Sequence, residues 1–216
     1  MTTVFIISAP SGSGKSTLVH RLLKTVPNLA FSISYTTRPP RPSETHGVDY
    51  IFISRKDFED RLERGEFLEY AEVFGNYYGT NRETFESATH QRKDLVLDID
   101  VQGARQLKVA IPRAISIFVL PPSRDVLEQR LRSRSQDSEE VIQRRLRGAA
   151  AEVQNYTQYD FVLINRDIEE ASARLATIVE AERLRKARME EEVRPILESF
   201  ESDQADDDQD DDDQQE

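Results

Sequence analysis

TVFIISAPSGSGKST, residues 3–17, decides the architecture of this chain. Val4, Phe5, Ile6 and Ile7 form a run of β-branched and aromatic residues with no turn residue inside it, which predicts a strand buried on both faces. Gly12 and Gly14 then let the backbone coil so that consecutive N–H groups converge on one anion. A helix opening near Ser16 adds the positive end of its dipole. Lys15 supplies a full charge for the β and γ phosphates, and Ser16 a hydroxyl for Mg²⁺. Ser8, Ala9, Pro10, Ser11, Gly12, Ser13, Gly14, Lys15, Ser16 and Thr17 are therefore the predicted cradle for a nucleotide's phosphates. The strict pattern has Gly where Ala9 stands, a change that costs little where φ is negative, and Pro10 beside it favours such values.

The other features extend outward from this loop. At 216 residues the chain has room for one α/β domain with insertions. It has no Cys, which excludes disulfides, Cys-ligated zinc and thiol nucleophiles. His20, His46 and His90 lack metal-ligand spacing. The formal charge of -11 argues at first against an anionic ligand. Ten of the 40 acids, however, lie in residues 201–216 without a single base, so the remainder is nearly neutral against 29 Lys and Arg. That tail, ESDQADDDQDDDDQQE, is expected to be disordered. No apolar run approaches the roughly 20 residues that span a bilayer, and no basic region precedes the first one. The expectation is a cytoplasmic protein with neither membrane nor nucleic acid as partner; oligomeric state is not legible.

Periodicity predicts a helix over 17–26, short strands between Phe31 and Ile53, and a helix N-capped by Ser54. A β ribbon over 67–78 turning at Gly75 and Asn76 comes next, then a helix over 82–90. Leu95–Leu97, ending in Asp98, Ile115–Leu120 and Phe161–Ile164 read as further buried strands. A long helix is expected from Ile168 to about Met189. Strands alternating with helices imply a P-loop NTPase-type parallel sheet flanked by helices, with the ligand at the carboxyl ends of the strands.

The second substrate has to come from the segment between Phe31 and Gly79. In TTRPPRP, Arg38 and Arg41 make a donor fork suited to a phosphate, with phenols from Tyr50 and Tyr78 to complete it. Glu69 does the opposite job: an ionised carboxylate accepts from both N1–H and the exocyclic amino group of guanine, whereas adenine shows the wrong pattern on that edge. Ser34 and Thr80 offer hydroxyls for the O6 end. Taken singly, each of these residues reads more readily as a loop cap or surface ion pair than as a ligand.

Together they resemble the guanylate kinase family over residues 3 to about 190. SAPSGSGKST, SYTTRPPRP, HGVDYIF, EFLEYAEVFGNYYGT, LDIDVQGA, PPS, RLRSRSQDSEEVIQRRL and the NRD at 165–167 are similar to its segments in its order. The resemblance implies transfer of the γ-phosphoryl group of ATP, with Mg²⁺, to GMP. It implies a domain over 2–186, with a core of 2–32, 84–123 and 148–190, an inserted mixed α/β GMP-binding lobe at 33–83 and a helical lid at 124–147. GMP would be held by Ser34, Arg38, Arg41, Tyr50, Glu69, Tyr78, Gly79, Thr80 and Asp100. Ser16 and Asp98 would serve Mg²⁺, partly through water, and Arg130 and Asn165 would serve the ATP side. Lys15, Arg38, Arg134 and Arg145 would be catalytic. Ser135, where a Gly is common, and Arg166, where an acid is common, depart from the pattern and bear on lid mobility and adenine contacts. Two other readings stay open on sequence: a kinase of the same fold acting on another phosphorylated acceptor, and a phosphopeptide-binding module without catalysis.

Overall fold

A computed structural model of the chain describes residues 2–73, 75–134 and 138–210, with side chains described for 2–73, 75–133 and 138–200. In chain order the elements are β1 (Val4–Ser8), α1 (Lys15–Thr25), β2 (Leu29–Phe31), β3 (Tyr35–Thr36), β4 (Ile51–Phe52) and α2 (Arg55–Glu63). Then come β5 (Phe67–Val73), β6 (Asn76–Asn81), α3 (Arg82–His90), β7 (Asp94–Asp98), α4 (Val101–Ala110) and β8 (Ile115–Leu120). The chain continues with α5 (Arg124–Arg134), α6 (Glu139–Glu152), a 3₁₀ turn at Val153–Gln158, β9 (Phe161–Ile164), α7 (Ile168–Arg183) and α8 (Lys186–Asp210). Two compact units divide the chain after Ala176, and both sheets lie in the first.

The main sheet has the order β2-β7-β1-β8-β9, and its pairs are parallel. β1 is buried at every residue, as expected for a strand flanked on both edges and covered on both faces. The register Ile7↔Asp98 sets the last acid of β7 beside the exit of β1, so the loop that follows β1 begins next to a carboxylate. Val4, Ile6, Leu95, Leu97, Ala104 and Leu107 pack into one buried cluster that fastens α4 to this sheet. β2 extends the edge beside β7; with three residues and no flanking alternation, it left no periodic signal in the sequence.

The second sheet, in the order β4-β3-β6-β5, is mixed: β3 and β4 are parallel, while β6 is antiparallel to both β3 and β5. Gly75 turns the β5–β6 ribbon with φ +77, a value that glycine adopts without strain. α2 closes over this sheet through Phe58, which is fully buried and stacks on Phe67 at 4.4 Å and on Tyr77 at 5.2 Å between centroids. Ser54 caps α2 by accepting the N–H of Asp57, as its sequence indicates. α5 and α6 have a small core of their own, Leu127, Leu131, Ile142, Leu146 and Ala149.

One expectation fails at the far end. The continuous helix read from Ile168 to Met189 is interrupted at Leu184 and Arg185, where the backbone tightens to i→i+3 hydrogen bonds from Leu184 to Ala181 and from Arg185 to Glu182. No Gly or Pro marks the break, so periodicity read through it. α8 then runs on through residues 201–210 of the acidic tail.

Replacing Phe58, the fully buried centre of the second sheet's aromatic stack, with Ala is expected to cost about 3–5 kcal/mol. Urea unfolding followed by circular dichroism checks this value.

Candidate active site

The loop after β1 does what its composition requires. Gly12 and Gly14 adopt φ +89 and +92, the left-handed conformation that bends the backbone around a point in front of α1. Ala9 is absent from the described residues with positive φ, which besides glycines are Asn28 and Arg92, so the extra methyl brings no strain. The loop is braced from behind by one carbonyl. Ser13 O accepts Asn165 Nδ2 at 2.8 Å and Arg130 Nη1 at 3.4 Å, and Arg130 Nη2 also reaches Asn165 O at 3.0 Å. Asn165 is buried, and a side chain at Gly14 would collide with its amide. Both residues expected on the ATP side therefore grip the cradle itself.

Lys15 forms an ion pair with Asp98 and donates to Ile99 O at 3.3 Å. Ser16 Oγ lies 3.5 Å from the other oxygen of the same carboxylate. Glu152, at the end of α6, accepts the N–H of Ser11; burial pushes its carboxyl up, and the Lys15 charge opposes that.

A cavity of 590 Å³ joins this loop to the second sheet. Residues 9–16, Ser34, Tyr50, Glu69, Tyr78, Asp98 and Asp100 line it, so most of the residues proposed from sequence face one space. Glu69, on β5, is buried, and its register partner Thr80 on β6 donates to Oε1 at 2.7 Å. Burial, with the nearby charge of Asp100, pushes the Glu69 carboxyl up to about 7 against these hydrogen bonds. Asp100 caps α4 by accepting the N–H of Gly103 at 2.9 Å. Burial and the Asp98 charge push the Tyr50 phenol up to about 12, which keeps it a neutral donor.

Other expected residues take positions behind the wall. Arg38 Nη2 donates to Glu44 at 2.8 Å, and its guanidinium lies 5.4 Å over the Tyr50 ring. The backbone N–H of Arg41 donates to the second oxygen of Glu44 at 2.8 Å, while the exposed Arg41 side chain reaches Glu44 at 3.8 Å. Burial pushes the Glu44 carboxyl up, but the Arg38 guanidinium and the Arg41 N–H outweigh it and hold the group below its usual range. Thr80 orients Glu69 instead of facing the cavity. Gly79 is where β6 passes the aromatic stack: a Cβ there would lie 3.0 Å from both Phe58 and Phe67. Arg145 lies half-buried on α6 and is not among the residues lining the cavity, and Arg134 ends α5, its side chain outside those described. Ser135 falls outside the described residues, and Arg166 is exposed.

The profile of the guanylate kinase family matches residues 1–182. The chain belongs to this family. It is 53% identical to guanylate kinase of Koribacter versatilis (strain Ellin345) over 204 residues, covering 92% of this chain and 88% of that protein. Against guanylate kinase of Escherichia coli (strain K12) the identity is 50% over 191 residues, 88% of this chain and 92% of that one. The crystal structure of guanylate kinase from Anaplasma phagocytophilum superposes with a TM-score of 0.73 at 35% identity, covering 87% of this chain and 89% of that one.

As a guanylate kinase family member the chain has three features that the sequence did not single out. Glu44 is one, six residues after Arg38 in a loop where nothing distinguishes it from a surface acid. Glu152 is another, far along the chain at the end of a helix whose charges look solvated. Gly103 is the third; a glycine inside an amphipathic helix was the available signal.

Asn165→Ala removes the amide that holds Ser13 O and is expected to destabilise the fold by about 1–3 kcal/mol. Chemical denaturation measures the loss, and a weaker affinity for ATP in the same variant reports the loosened loop.

Proposed function

We propose that the cavity holds the two substrates of the family's reaction end to end, the donor on the loop 8–17 and the acceptor against the lobe 33–83. The reaction is that of a guanylate kinase: the γ-phosphoryl group of ATP passes to a phosphate oxygen of GMP, giving ADP and GDP, a step of purine nucleotide metabolism and GMP recycling. The observation that carries the assignment of residues is that Lys15 and Glu69, a phosphate binder and a guanine reader, line one cavity.

In this reading Ser34, Tyr50, Tyr78, Glu69 and Asp100 bind GMP directly. Thr80 and Gly79 hold the sheet and the carboxylate in position, and Arg38 with Arg41 exchange Glu44 for the acceptor phosphate. GMP's attacking oxygen is largely deprotonated at neutral pH, because a phosphate monoester has its second pKa at about 6. No general base is needed. The remaining work is placement in line and stabilisation of charge spread over the transferred group by Lys15, Arg38, Arg134 and Arg145. The lid 124–147 and the lobe close over both nucleotides and exclude water.

The residues present fit Mg²⁺. Ser16 Oγ and Asp98 Oδ2, 3.5 Å apart, are two hard oxygen donors, and this ion commonly takes its other ligands from water and from substrate phosphates. Among the described residues no cluster of three or more His, Asp or Glu offers a protein-only cage. Bound at Ser16 and Asp98, Mg²⁺ supplies charge neutralisation on the donor phosphates. No described helix is long and apolar enough to cross a membrane. A cytoplasmic site of action fits a reaction whose two substrates are free nucleotides.

Arg145→Ala is expected to lower kcat by about 10³-fold or more while leaving the KM for GMP within a few-fold, since such an arginine acts on the transition state. Steady-state rates in a coupled ADP assay with GMP, AMP and dTMP separate this from simple loss of binding. The same assay tests the function itself: activity with GMP alone among the three is the expected outcome.

Affinity for GMP should also depend on pH. The Glu69 carboxyl sits at about 7 in the free protein, and guanine's two donors favour its ionised form, so binding releases a proton. Affinity is full above pH 7 and falls by up to about tenfold per unit below it. Calorimetric titration of GMP from pH 5.5 to 8 measures this. Glu69→Gln, which removes the titrating group, should leave only the weaker dependence contributed by the phosphate.

A further inference from the structure

Two glycines lie inside the described helices, Gly103 in α4 and Gly148 in α6. Neither is among the glycines with positive φ, so backbone conformation does not call for glycine at either place. A glycine in a helix interior costs stability relative to alanine, because it loses more chain entropy on folding. The surroundings of the two differ sharply. A Cβ at Gly148 would meet nothing within 4 Å. A Cβ at Gly103 would lie 3.0 Å from Glu69 Cδ, closer still to Glu69 Oε2, and 3.4 Å from Asp100 Oδ1.

We infer that Gly103 is a specificity-determining position: its missing side chain is the space in which the guanine-reading carboxylate of Glu69 lies against α4. The inference rests on the GMP reading given above. Glu69 has nowhere else to go at no cost. It is buried, its Oε1 is tied to the Thr80 hydroxyl at 2.7 Å, and its backbone is fixed in the β5–β6 ladder. The atoms that a methyl group at 103 would strike are the far end of a side chain, not backbone. The helix and both sheets therefore persist, and the carboxylate moves. Its hydrogen bond to Thr80 and its register with the guanine edge are lost together. Gly103 also gives its N–H to Asp100, so the same residue positions both acids at the base end of the cavity through one turn of α4. Gly103 is a positioning residue, since it needs no contact with the substrate to act.

The test uses the full chain. Gly103→Ala is expected to raise the Kd for GMP at least tenfold by calorimetry, with the Kd for ATP within twofold of wild type and only a small fall in melting temperature, because alanine's gain in the helix offsets part of the lost Thr80 hydrogen bond. Gly148→Ala, the control, should raise the melting temperature without moving the Kd for GMP. Glu69→Asp shortens the acid by one methylene and makes room for the new methyl group. Its penalty on GMP binding should combine with that of Gly103→Ala to less than the product of the two. Equal GMP affinity in Gly103→Ala and wild type overturns the inference and leaves the GMP reading standing. Loss of GMP and ATP binding together with a greatly lowered melting temperature also overturns it, as a packing role. Wild-type protein that does not bind GMP ends the underlying reading, and this inference with it.

Discussion

A cation held in a partly closed site needs a counter-charge, and the groups proposed to receive phosphate are paired with carboxylates from their own chain. Asp98 holds Lys15, Glu44 holds Arg38 and the N–H of Arg41, and Glu152 takes the N–H of Ser11. Lys15 and Asp98 are each only 19% exposed, so an unpaired ammonium there would cost several kcal/mol of desolvation. The pairing fixes the lysine in a defined place at the mouth of the loop. Its geometry depends on strand register: Ile7↔Asp98 puts the carboxylate where β1 ends. Every other feature of the donor side, including the two left-handed glycines and the Ser13 carbonyl gripped by Asn165 and Arg130, is arranged around that point.

The acceptor side solves the opposite problem. Glu69 is an acid buried beside another acid, and it is held there by β5–β6 pairing, by Thr80 and by the open space at Gly103. Such a group works against folding. Its carboxyl titrates at about 7 in the folded chain against a usual value of 4.5, so its contribution to stability is full below about 4.5 and is lost as pH rises through 7. A buried group whose ionisation is displaced in this way is a candidate functional position, in keeping with the guanine-reading role proposed for Glu69.

The two sheets divide the labour. The parallel sheet, buried on both faces, supplies rigid strand ends from which the loop, Asp98 and Asp100 project. The mixed sheet, with its aromatic stack on Phe58, carries Ser34, Tyr50, Glu69 and Tyr78 on a separate support. α5 and α6 have a third, small core. Residues from all three parts of the fold line one cavity.

What the sequence determined by itself was local. The apolar run before GSGKST, the turn chemistry of Gly12 and Gly14, the Ser54 cap and the alternation of strands with helices are each written in residues adjacent along the chain, where backbone sterics and period decide the outcome. The family segments added the list of site residues. Only the tertiary structure decided what those residues touch. Arg38 and Arg41 meet at Glu44, Thr80 serves Glu69, Asn165 grips the loop, and Gly103 leaves room for a carboxylate 34 positions earlier in the numbering. A three-residue edge strand and a helix broken without Gly or Pro were equally out of reach. The physical reason is the same throughout: hydrogen-bond partners and steric clearances belong to pairs of residues brought together by strand register and helix packing, and no single segment encodes either member's neighbour.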